Sequence, residues 1–169
     1  MSTLSKVDSS TLGWVKTEID EMLKQARLAL EAYAENPSDD SRLRHCTTYL
    51  HQVFGTLQMV ELDGAAMLAR EIEQLAEAVL GGAVPAGPAV IETLIRGILT
   101  LPDYLARLQF GQPDAPLKFL PLLNELRAGH GVEPMVESDL FRPDLGVRPP
   151  KRDGAVRASD ADYPVEVIW

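Results

Sequence analysis

The chain has 169 residues, a formal net charge of −9 at pH 7, 46% hydrophobic residues and only 6% aromatic ones. That length supports one domain with an appended segment, and an acidic balance excludes a nucleic-acid binder, whose phosphate contacts need clustered Lys and Arg. The low aromatic content favours aliphatic helix packing over a β-sandwich, no apolar run is long enough to span a bilayer, and Met1 to Lys6 has no apolar signal core behind it, so a cytoplasmic protein is expected.

In chain order, Ser9, Ser10 and Thr11 are candidate caps for a first helix over Leu12 to Glu35, with an apolar stripe of Val15, Ile19, Met22, Leu23, Ala26, Leu30 and Tyr33. Asn36-Pro37 stops it. Ser38 is the expected cap of the second helix, and Asp39 and Asp40 suit the positive end of its dipole. The stripe Leu43, Cys46, Leu50, Val53, Leu57 and Val60, in alternating steps of three and four, carries that helix to about Glu61. The lone cysteine, Cys46, belongs to this stripe and is expected to pack as a small hydrophobe. Asp63-Gly64 offers a break or a new cap before a third helix through Ala66, Leu68, Ala69, Ile72, Leu75 and Val79, ended by Gly81-Gly82.

Pro88 is suited to the first position of a fourth helix, whose apolar residues run from Ile91 to Leu108 and which Pro102 is expected to interrupt and bend. Leu117 to Arg127 reads as a short fifth helix holding Pro121. Glu133 to Leu145 has no helical period and reads as an extended strip. From Gly146 onward Pro, Arg, Lys, Asp and Ala dominate, and a disordered tail is expected. The predicted fold is all-α: an up-and-down four-helix bundle over residues 10–145 with an extra short helix and the extended strip, followed by a tail or linker at 146–169.

Among candidate functional residues His51 leads. It falls at the edge of the buried stripe or on the solvent face, and Gly55 leaves bare backbone one turn further along. A glycine inside a helix costs about 0.8–1 kcal/mol relative to alanine, so its presence suggests that close approach has value there. Thr47, Thr48 and Gln58 lie within two turns of His51 and could hold the ring or bond a phosphoryl oxygen. An imidazole that is largely neutral near pH 7 can act as a nucleophile, which suits a phosphoryl acceptor. His45, Cys46 and His51 lack metal-ligand spacing, and no cofactor site is expected. The carboxylates Glu71, Glu73 and Glu77 on the third helix, and Glu18, Asp20 and Glu21 on the first, read as solvated surface groups. His130, in Gly129-His130-Gly131, marks a helix end, and no motif of an ATP-binding kinase, a dinucleotide fold or a Ser-His-Asp set is present.

His51, Val53 and Gly55 match the pattern of the histidine phosphotransfer domains, four-helix bundles whose second helix carries His, any residue, a small aliphatic, Lys and Gly. Trp14 to Ile19, Leu50 to Ala66 and Glu137 to Phe141 together resemble the N-terminal, FimL-like region of the CheA-type hybrid histidine kinases of type IV pilus chemosensory systems. The resemblance covers about Thr11 to Leu145 and implies a two-component phosphorelay module controlling twitching motility. His51 would be the phosphoacceptor, Thr47, Thr48, Phe54, Gly55 and Gln58 the docking face, and receiver or histidine kinase domains, or other chemosensory and pilus-regulating proteins, the partners.

Two departures bear on activity. Phe54 stands where active phosphotransfer members carry Lys, and Glu61 where a glycine usually turns the chain. Each change disfavours bringing a phosphoryl dianion to this helix. The alternative is therefore a non-catalytic helical scaffold that binds signalling proteins without phosphotransfer. A third reading, a small helical hydrolase or metal enzyme built on His51, lacks the ligand spacing it needs.

Overall fold

The computed structural model describes residues 9–141, and within them side chains from Leu12 to Leu140. Four long helices, α1 (Ser9–Glu35), α2 (Asp40–Met59), α3 (Asp63–Leu80) and α4 (Pro88–Gln109), are followed by a 3-10 turn (Pro116–Phe119), α5 (Leu120–Ala128) and a second 3-10 turn (Glu137–Phe141). No strand occurs among the described residues. Each of the first four helices packs on its neighbours in sequence, and α1 also packs on α4, which closes the ring of a four-helix bundle. The expected disordered tail at 146–169 lies outside the described residues.

The apolar stripes meet in one core. Ile19, Leu23 and Leu30 of α1, Leu43, Leu50 and Leu57 of α2, Leu68, Ile72 and Leu75 of α3, and Leu94, Ile98 and Leu101 of α4 are all fully buried. Cys46 lies among them, and burial pushes its thiol up to about 12. Gly97 lets α4 approach α3 closely: a Cβ there would stand 2.8 Å from Ile72 Cγ1. The fifth helix closes the open side of α3 with Leu123 and Leu126.

Several helix ends differ from the sequence expectation. The cap of α2 is Asp39 rather than Ser38: its carboxylate accepts from the Ser41 backbone N–H and hydroxyl, while the Ser38 hydroxyl turns to Asn36. The third helix begins earlier than Ala66, at Asp63, behind a Leu62 that offers no side-chain cap. A distant residue fills that role. Asp114 accepts from the Gly64 N–H at 2.8 Å and from the Tyr104 hydroxyl, tying the loop after α4 to the start of α3. The fourth helix runs unbroken through Pro102, although the ring removes the N–H that would bond the carbonyl four residues back. The strip after α5 is irregular from Val132 to Val136, held by paired hydrogen bonds between Asn124 and the Met135 backbone, and then winds into the second 3-10 turn.

Candidate functional site in the groove between α2 and α3

Helices α2 and α3 form an antiparallel hairpin around a three-residue turn, Val60 to Leu62. Glu61 makes that turn with φ of 63°, the left-handed conformation that glycine favours. A Leu62 N–H to Leu57 carbonyl bond of 3.0 Å closes the end of α2. Glycine's usual place in the resembling pattern therefore keeps its backbone geometry here, although Glu61 carries a side chain.

The hairpin encloses an open groove of about 570 Å³. From α2 it is lined by Thr47, Thr48, His51, Gln52 and Phe54, and from α3 by Arg70, Glu73, Gln74 and Glu77. The imidazole of His51 is 71% exposed, and its Nδ1 lies 2.8 Å from Glu73 Oε2. With Glu73 ionised, Nδ1–H is the donor in this pair, because a carboxylate only accepts. Glu73 is itself only 10% exposed in its side chain. Burial raises its carboxyl above the ordinary value of 4.5, the hydrogen bond to His51 opposes that rise, and the neighbouring Glu77 adds to it.

The sequence expectation that Glu71 and Glu73 are solvated is corrected, since both are buried. They lie two residues apart and face opposite sides of α3. Glu73 meets His51 from α2, and Glu71 meets Arg127 from α5 at 2.7 Å. A helix covered on both sides by other helices buries charge on both flanks, and each buried carboxylate needs a basic partner. Glu77, in contrast, is exposed.

The expected docking face divides. Thr48 and His51 are exposed, and Gly55 has no heavy atom within 4 Å of where a Cβ would sit, so nothing inside the fold requires a glycine there. Gln58 is half-buried. Thr47 and Phe54 belong with the core instead. The Thr47 hydroxyl donates to the Arg44 carbonyl, and Phe54 carries the Arg70 guanidinium over its ring at 5.4 Å from the centroid. Gln52, Arg70, Glu73, Gln74 and Glu77 are the groove residues that the sequence reading did not connect with His51. No group of three or more His, Cys, Asp or Glu placed to hold a metal occurs among the described residues.

The fold and the groove define a helical-bundle module that presents one histidine on a rigid helix beside bare backbone. A family model described as the FimL C-terminal domain matches residues 9–122, and the chain belongs to that family. Scaffold protein FimL of Pseudomonas aeruginosa is 31% identical over 143 residues, which are 84% of this chain and 25% of the relative. The chain thus spans about a quarter of the length of that curated relative. No solved structure matches.

These matches bear out the FimL-like part of the resemblance and correct the functional expectation. The phosphorelay reading, with His51 as phosphoacceptor, gives way because the matching relative is named a scaffold protein. The groove's chemistry agrees with that correction: Phe54 replaces the expected lysine, and Glu73 and Glu77 place carboxylates beside the ring. No helix among the described residues is long and apolar enough to cross a membrane.

Proposed function

We propose that this chain is a non-catalytic scaffold module that binds signalling proteins of a cytoplasmic type IV pilus chemosensory pathway. Its domain comprises residues 10–145, with 146–169 as a linker. The same region in a larger hybrid kinase would serve the same docking role. The reading rests on one observation: Gly55 leaves unobstructed backbone one turn from an exposed His51, on a chain related to a protein named a scaffold. Helix propensity alone disfavours glycine at such a site, and internal packing does not ask for it. A partner that must come close to the α2 backbone does.

The docking face comprises Thr48, His51, Gly55 and Gln58, with Thr47 and Phe54 fixing it from beneath. A response-regulator receiver domain is the partner class we propose. The test is incubation of the protein with a purified phosphorylated receiver, with complex formation followed by size-exclusion chromatography and acid-labile label followed on the chain. The scaffold reading expects a complex and no label at His51. Label on the wild type that vanishes in His51→Gln overturns it.

A further inference from the structure

We infer that the partner meets this module through an acidic surface laid along the outer lane of α2. The inference rests on the docking reading above and adds the chemistry of what docks. In a chain with 25 Asp and Glu against 16 Lys and Arg, the whole stretch from Ser41 to Val60 contains no carboxylate. Its charged side chains are Arg42 and Arg44. Arg44, Thr48, His51, Gly55 and Met59 follow one another at steps of three or four, so they form one lane along the outside of the helix. The four with side chains are exposed, Met59 by 78%.

Ion pairing elsewhere in the fold sharpens the contrast. Arg27, Arg96, Arg107 and Arg127 each form a salt bridge with a glutamate or aspartate. Among the described residues, Arg44 and Arg70 form none, and Arg42 exerts only a longer-range pull on Asp39. Of the three arginines without a salt bridge, Arg44 stands on the lane itself and Arg70 faces it across the groove. The carboxylates bordering the groove, Glu73 and Glu77, stand on α3, so an acidic partner is repelled from α3 and drawn onto α2. Complementarity then orients it, with carboxylates opposite Arg44 and an apolar residue opposite the bare Met59 at the other end of the lane.

Purified receiver domain serves as the probe, titrated onto the full chain by stopped-flow fluorescence and by heteronuclear NMR. Exposed charges act mainly on association, so raising salt from about 50 to about 300 mM is expected to slow binding roughly tenfold, and Arg44→Glu to slow it by a similar factor with dissociation little changed. Arg44→Glu touches no core residue, and an unchanged thermal melt confirms that its fold is kept. Binding that is insensitive to salt and to Arg44→Glu, yet lost in Gly55→Trp, overturns the acidic-partner inference and leaves the docking reading standing. Binding that survives Gly55→Trp, or no binding at any salt, overturns both.

Discussion

His51 on α2 and Glu73 on α3 are joined through the imidazole Nδ1 at 2.8 Å, with the carboxylate almost wholly buried and the ring mostly exposed. The pairing holds the ring in one orientation by its Nδ1 edge. A rigid polar knob at the groove mouth is what a docking surface requires, because less side-chain freedom is lost when a partner binds.

That pair gives the fold a pH dependence of definite sign. Burial, with Glu77 reinforcing it, holds the Glu73 carboxyl above its ordinary value of 4.5, even against the opposing pull of His51. The folded state therefore keeps a proton that the unfolded chain releases, and stability from this group is lost as pH rises from the ordinary value through the raised one. Glu73→Gln retains an oxygen to accept from Nδ1 and carries no charge. Urea midpoints measured between about pH 4.5 and pH 7 should decline less steeply in Glu73→Gln than in the wild type. Parallel slopes would show that the carboxyl does not titrate in that window.

The tie between Asp114 and Gly64 should be costly to break. A Cβ on Gly64 would approach Pro116 Cδ to 2.9 Å and collide with the Asp114 carboxylate, so Gly64→Ala must push the loop away from the start of α3. We expect a loss of about 1–3 kcal/mol, and a similar loss for Asp114→Ala, which abandons the Gly64 N–H and the Tyr104 hydroxyl together. The double variant should lose less than the sum, because both changes break one link. Chemical denaturation of the three variants gives the cycle.

At the turn between α2 and α3 the opposite holds. Glu61 occupies a left-handed conformation that glycine adopts freely, and its side chain is exposed. Glu61→Gly should therefore raise stability by about 1 kcal/mol, seen as a higher melting temperature. A lower one would mean that the Glu61 side chain makes a favourable interaction worth more than the backbone strain.

Cys46 offers a check on the core. Burial pushes its thiol up to about 12, so little thiolate forms at neutral pH and no reagent reaches it in the folded protein. Labelling by a thiol reagent should follow the rate of unfolding and become fast in denaturant. Immediate stoichiometric labelling of native protein would contradict the packing of α2.

The helices and most of the core could be read from the sequence because aliphatic stripes at steps of three and four carry their own address. Leu43, Cys46, Leu50, Val53 and Leu57 are all buried as their spacing implies. What could not be read is what depends on a second element. Asp114 bonds Gly64, 50 residues earlier, at the start of α3, and Glu71 is buried where α5 returns to cover it with Arg127. Ser38 lost the cap of α2 to Asp39, whose carboxylate reaches both Ser41 donors. One signal for the site was present and unused. In an antiparallel helical hairpin, residues equidistant from the turn lie level: His51 and Glu73 each stand 11 residues from Leu62, and Phe54 and Arg70 each 8. Counting outward from the turn pairs both sets that form the groove.

The proposed docking falls on the exposed lane of α2, and substitutions at Gly55 separate docking from folding. Open space surrounds that position, so Gly55→Ala should stabilise the helix by about 0.8–1 kcal/mol while weakening receiver binding, and Gly55→Trp should abolish binding without unfolding the protein. Parallel thermal melts and binding titrations of the wild type and the two variants decide the matter: higher or unchanged melting temperatures with progressively lost affinity are predicted. Receiver affinity that is unchanged in Gly55→Trp would contradict it.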